Sequence, residues 1–152
     1  VQLADWLCDI AMEGQILMSA QVMESCKAML AASENNTHLF KSLGPGDEKF
    51  LKSLMTALEP MLGCEKISMD KLSKKTGISK AQLYRKITTL SGYSPNGLIH
   101  EIRLKKALQL VSQKYGNVAE IAFASGFNSP SYFAKSFQKR SGTLPAKLLK
   151  SV

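Results

Sequence analysis

Cysteine is scarce in this 152-residue sequence: Cys8, Cys26 and Cys64 make an odd count with no close pair. Such usage excludes a disulfide framework or a zinc knuckle and fits a reducing, cytoplasmic setting. Histidine is scarcer still, and His38 and His100 have no partners at ligand spacing, so no metal is expected. There is no glycine-rich phosphate loop and no nucleophile elbow, which leaves no candidate catalytic residue, no expected cofactor and no reason to read an enzyme. Long apolar runs are missing too. The most apolar stretch, residues 3–32, is interrupted by Asp5, Asp9, Glu13 and Glu24. It falls short of the ~20 apolar residues that a membrane span needs. No secretory signal is visible, and no alternating run of strand length competes with helical periodicity. The chain opens on Val1 instead of methionine, as an excised piece of a longer protein would.

What the sequence does have is basic charge, unevenly placed. The formal net charge is +8. Residues 1–46 carry two basic residues (Lys27, Lys41) against five acidic ones (Asp5, Asp9, Glu13, Glu24, Glu34), a balance of −3, which leaves +11 for residues 47–152. An acidic appendage on a domain that meets a polyanion explains this asymmetry; excess lysine serving solubility alone is the plainer alternative. The length fits one domain with a small appendage.

Glycines and prolines fall between apolar-periodic segments, so the expected fold is all-α. Leu3, Trp6, Leu7 and Ile10, then Ile16, Ala20, Met23, Cys26 and Leu30, recur at helical spacing and predict a helical N-terminal appendage over 1–46. Met12, Met18, Met23 and Met29 fit the core of those helices better than an adaptable binding surface. Residues 33–46 are rich in turn formers and mark the boundary. Beyond it, Asp47 is expected to cap a helix bearing Phe50, Leu51, Leu54, Leu58 and Leu62 on one face, with Pro60 ending or kinking it. Ser68 is expected to open a short helix with Leu72 inward, closing at Gly77. Ser79 should cap the next, which carries Leu83 and Ile87 inward. Pro95 suits the first turn of a long helix over 95–113.

The pattern then repeats. KLSKKTGISKAQLYRKITTLSGYSP (71–95) matches EIAFASGFNSPSYFAKSFQKRSGTLP (120–145). Leu72 pairs with Ile121 and Gly77 with Gly126. After one extra residue, Asn128, Ser79 pairs with Ser129, Leu83 with Phe133, Arg85 with Lys135, Ile87 with Phe137, Gly92 with Gly142 and Pro95 with Pro145. Helix, glycine turn, serine cap and second helix form a helix-turn-helix, in which the second helix enters the major groove. The motifs are expected over about 68–91 and 118–141. The connecting helix, ~28 Å long at 1.5 Å per residue, is comparable with the ~34 Å turn of B-DNA, so one chain can present two reading helices to successive grooves.

These residues resemble a known family. ISKAQLYRKITTLSGYSPNGLIHEIRLKKALQLV and VAEIAFASGFNSPSYFAKSFQKRSGTLP are similar to the DNA-binding domain of AraC/XylS-type regulators, over about residues 47–150. The resemblance implies seven helices, two helix-turn-helix subdomains bridged by a long helix, and sequence-specific transcription control, most often activation by recruiting RNA polymerase. DEKFL and AQLYRK are most similar to members attached to receiver domains or hybrid two-component sensors of Bacteroidetes. Residues 1–46 match neither the family's sugar-binding cupin nor a complete receiver domain.

On the first reading helix, Ser79 as cap leaves Lys80, Ala81, Tyr84, Arg85 and Lys86 outward. Arg85 is the candidate base contact, since a guanidinium pairs bidentately with guanine; a phosphate contact is the alternative. Ala81 suits a thymine methyl, Tyr84 a base or the backbone, and Lys80 and Lys86 phosphates. On the second, Ser129, Pro130, Ser131, Ala134 and Lys135 occupy the matching positions, and Lys139, with Gln138 and Arg140, lies near phosphates or solvates the helix end. This poorer set predicts less direct discrimination and more shape readout. Tyr132, Phe133 and Phe137, with Phe123 and Phe127, are expected in the core. Arg103 is expected to play a structural role, paired with Glu101, Glu120 or another carboxylate, and Lys105 and Lys106 to be solvated. Double-stranded DNA is thus the expected partner. The rival expectation is a protein-interaction module in which residues 1–46 dock on a partner or make a homodimer, with weak DNA contact.

Overall fold

The computed structural model describes residues 16–19, 21–22, 24–25, 40–64 and 66–151. The expected helix through Leu3, Trp6, Leu7 and Ile10, the positions Met12, Ala20, Met23, Cys26, Met29 and Leu30, and the turn-rich segment as far as residue 39 lie outside the described residues. Two short strands, β1 (Ile16–Ser19) and β2 (Phe40–Leu43), pair in parallel with Ile16 opposite Phe40 and Ser19 opposite Leu43. This corrects the helical reading of residues 16–19 and the turn-rich reading of 40–43. Four-residue segments carry too little periodicity to separate strand from helix, and the deciding factor, a hydrogen-bonding partner 24 positions away, is not local.

Seven α-helices follow among the described residues: α1 (Pro45–Leu58), α2 (Met69–Thr76), α3 (Lys80–Ser91), α4 (Pro95–Ser112), α5 (Val118–Ala124), α6 (Pro130–Ser141) and α7 (Pro145–Ser151). The first starts three residues earlier than expected. Gly44 is its N-cap and Pro45 occupies the first turn, so Asp47 is not the cap. Proline has no amide hydrogen to satisfy there and its φ suits a helix start, while Asp47 and Glu48 in the first turn favour the positive end of the helix dipole. At the other end α1 gives way to a 3-10 turn over Glu59–Met61 containing Pro60.

The apolar side chains gather into two cores. One joins Leu43, Phe50, Leu51, Leu54, Leu58, Leu72, Leu83, Ile87, Leu98 and Ile102; the other joins Leu104, Ala107, Val111, Ile121, Phe127, Phe133 and Phe137. Both are served by α4, whose Ile102 faces the first and whose Leu104 faces the second. Leu43, at the end of β2, is wholly buried in the first core, so that core recruits residues N-terminal to the boundary expected at 47.

Candidate nucleic-acid interface

Each motif is built from local chemistry. Ser68 accepts a hydrogen bond from the Lys71 amide at 3.4 Å and opens α2. The helix closes at Gly77, whose φ of +71° falls in the left-handed region that glycine enters without a Cβ penalty. Ser79 then starts α3 with a capping box: its hydroxyl accepts from the Gln82 amide at 3.3 Å, and Gln82 Oε1 accepts from the Ser79 amide at 3.2 Å. Leu83 and Ile87 point into the core, which forces the intervening positions outward. Lys80, Ala81, Tyr84, Arg85 and Lys86 are all exposed.

Exposure does not make these five equivalent. Lys80 Nζ lies 2.6 Å from Asp70 Oδ1 on α2. Lys86 Nζ lies 4.0 Å from Asp47 Oδ1 and sits 5.1 Å from the centre of the Phe50 ring, back toward α1. Arg85, by contrast, makes no hydrogen bond or ion pair with any described residue. It lines a shallow groove with Gln82, Thr89 and Leu90. Sequence reasoning missed the two acids that face the lysines, because they come from other helices.

The second motif repeats the plan. The Asn117 side chain accepts from the Ala119 and Glu120 amides at 3.0 Å each, and Glu120 Oε2 accepts from the Asn117 amide at 2.8 Å. Gly126 turns the chain with φ of +88°. Ser129 caps α6, accepting from the Tyr132 amide at 3.2 Å, with Pro130 in the first turn. Phe133 and Phe137 are buried with ring centres 5.5 Å apart, and Phe127 lies 5.2 Å from Phe133. Ser131, Lys135 and Lys139 are exposed, and Ser129, Pro130 and Ala134 are half-buried. Arg140 turns back to α4, where its Nε lies 3.0 Å from Glu101 Oε2.

Two aromatic assignments are corrected. Tyr132 and Phe123 are each 55% exposed instead of core. With Phe133 and Phe137 one turn apart and inward, the neighbouring position 132 is rotated off the buried face. Tyr132 therefore joins the outer surface of α6, its ring 5.8 Å from His100 on α4. His100 and Tyr132 line a cleft of about 480 Å³ between the motifs, together with Lys66, Asn96 and Asn128. Burial holds the His100 imidazole below its ordinary pKa, opposed by nearby Glu101 and helped by Arg103. Arg103 itself is structural, as expected, and it holds two backbone carbonyls. Its Nε donates to the Leu62 carbonyl at 3.2 Å and a terminal nitrogen donates to the Cys64 carbonyl. Glu101 is taken by Arg140, and Glu120 closes the Asn117 capping box.

Among the described residues no group of three or more His, Cys, Asp or Glu side chains is placed to hold a metal, and no helix is long and apolar enough to cross a membrane. A family described as a helix-turn-helix domain matches residues 72–151. The chain is 32% identical over 129 residues to histidine kinase P4 of Formosa agariphila, covering 83% of this chain and 9% of that protein. It is 31% identical over 83 residues to the HTH-type transcriptional regulator MtrA of Neisseria gonorrhoeae, covering 55% of this chain and 28% of MtrA. Both relatives are thus far longer than the region shared. A crystal structure of a transcriptional regulator of the AraC-type DNA-binding domain class from Chromobacterium violaceum superposes with a TM-score of 0.63 at 25% identity, covering 70% of this chain and 95% of that one.

Proposed function

This chain belongs to the AraC-type helix-turn-helix family, and from that premise we propose that it is the DNA-reading output domain of a signalling protein, presenting α3 and α6 to two successive major-groove segments of one duplex. The observation that carries this reading is the pair of serine-capped helices, each with two apolar residues locked inward and a basic outer face. Capping fixes where each helix begins, and the inward pair fixes its rotation, so the same few side chains always meet the groove. Arg85 makes the direct base contact on α3, because its fork of donors is unspent within the protein and matches guanine O6 and N7. Ala81 and Tyr84 flank it, and Lys80 and Lys86 meet phosphates once released from Asp70 and Asp47.

On α6 the contacts are Ser129, Pro130, Ser131, Ala134, Lys135 and Lys139, a set suited to clamping the backbone and sensing groove shape. Tyr132 extends this face toward α4. The signalling context is supported by the relative named a histidine kinase, and recruitment of RNA polymerase is the route by which such a domain activates transcription. Selection of bound sequences from a random duplex pool, followed by titration at several salt concentrations, tests the reading. Two recognised segments should emerge, with log K falling by roughly 0.9 per phosphate contact for each unit of log salt. A shallow salt slope without a preferred sequence sinks it.

A further inference from the structure

We propose that the junction of Leu62, Arg103 and Gly126 locks the second helix-turn-helix onto the first, and so sets the one spacing at which the two DNA segments are read. The proposal rests on the two-segment reading above, and its reasons lie elsewhere in the molecule.

The two apolar cores share none of their buried residues: α4 passes from one to the other between Ile102 and Leu104. Arg103 is the residue between. From that point its guanidinium reaches back to the loop that follows the 3-10 turn, donating to the carbonyls of Leu62 and Cys64. Those carbonyls belong to the first module's leading segment, and Leu62 itself is packed in the first core. The turn of the second motif rests on the same spot. A Cβ placed on Gly126 would lie 2.0 Å from the Leu62 carbonyl oxygen and 2.8 Å from Arg103 Nε. Three elements thus meet at one carbonyl: the loop after α1, the linker helix and the second reading turn.

The internal repeat supplies a control. Gly77, the counterpart of Gly126, has the same left-handed backbone, yet a Cβ there would meet nothing within 4 Å. The first glycine serves the turn alone; the second serves the turn and a contact between modules. The junction also determines where α6 starts. The Gly126 amide donates to Phe123 at 2.9 Å and the Phe127 amide to Ala122 at 2.9 Å, tying the turn to α5, and Ser129 caps α6 three residues after the glycine. The extra residue of the second turn leaves Phe127 free to enter the second core, where its ring also meets His100 of α4 edge-on at 5.5 Å.

A locked pair of reading helices makes a sharp demand on DNA. One added base pair moves the second segment by ~3.4 Å along the axis and ~35° around it, which a rigid pair cannot follow and a hinged pair can. The test is therefore a duplex series in which the two selected segments are spaced by one or two base pairs more or fewer, bound by the wild-type chain, Arg103→Gln and Arg103→Lys. The wild type should prefer one spacing by about tenfold over its neighbours. Arg103→Gln, which loses the charged fork, should reduce that preference to about threefold or less, while its affinity for a duplex holding one segment changes by less than about twofold. Arg103→Lys, able to reach one carbonyl at a time, should fall between.

A second readout needs no DNA. With the three cysteines replaced by serine and spin labels at Lys74 and Ala146, the distance distribution should be narrow in the wild type and broaden in Arg103→Gln. Equal spacing preference and equal width in wild type and Arg103→Gln overturn the proposal. If the wild type shows no sequence preference at all, the functional reading fails, and the distance distributions still decide whether the lock exists. Gly126→Ala, should it fold, must broaden both measurements as well.

Discussion

Lys80 and Asp70 form a contact of 2.6 Å with both side chains more than half exposed. A pair in that setting is worth little to stability, so its main consequence is competition: the acid holds the ammonium that a phosphate would take. Asp70→Asn should therefore tighten duplex binding about twofold to fivefold at low salt, with the gain shrinking as salt rises; unchanged affinity would show that Lys80 does not reach a phosphate. Arg85 has no such competitor. Arg85→Ala should relax preference at a single base by ~1–3 kcal/mol, whereas Lys86→Ala should weaken all sequences alike and lower the salt slope by about one. Base-by-base binding profiles separate the two, and identical losses for both residues would refute the roles given them. Residue identities on α3 were legible in the sequence because Leu83 and Ile87 fix its rotation. Tyr132 was not, because an aromatic beside two buried aromatics reads as core until the helix is seen to turn it outward.

At the scale of elements, the caps were the most legible features. Ser68, Ser79 and Ser129 each accept a hydrogen bond from an amide three residues on, and this chemistry is contained within four residues. Ser79→Ala should cost ~1 kcal/mol by leaving first-turn amides of α3 without their partner, read as a lowered denaturation midpoint. Ser125, at the end of α5, presents the opposite case. It is fully buried, and its hydroxyl has no hydrogen-bond partner among the described residues. Removing an unsatisfied buried hydroxyl relieves a desolvation cost of ~1–3 kcal/mol, so Ser125→Ala should leave the melting temperature unchanged or raise it. A clear drop would reveal a partner for that hydroxyl. The start of α1 was misread for a physical reason: Asp47 is a good cap in isolation, but Pro45 two residues earlier begins the helix first.

Across the whole molecule, two cores on one linker helix predict uneven stability. Phe133 is wholly buried in the second, and Phe133→Ala should cost ~3–5 kcal/mol there. Hydrogen exchange should then show residues 118–141 losing protection while 69–91 retain it; equal loss in both would mean that the cores unfold as one. His100 lies at the seam and gives this stability a pH dependence. Its folded-state pKa is lowered, chiefly by burial, so the unfolded chain binds protons more readily. Stability falls as pH drops through the unfolded value of 6.5, and the loss is complete once the folded imidazole also protonates. The melting temperature of His100→Gln should decline less than that of the wild type between pH 7.5 and pH 5, and equal declines would remove His100 from the account.

The sequence alone determined whatever depends on near neighbours: the helical periodicity, the serine caps, the left-handed glycines and the internal repeat that announces two reading helices. It also placed Arg85 outward and Phe133 inward, since period and burial agree there. Tertiary structure decided what depends on segments far apart in the chain. It paired residues 16–19 with 40–43, set Asp70 against Lys80, brought the Leu62 and Cys64 carbonyls to Arg103 and placed Gly126 against the Leu62 carbonyl. The difference is one of range: a cap or a turn is satisfied within a few residues, whereas a half-buried guanidinium takes whichever acceptors the packing of separate helices brings within reach.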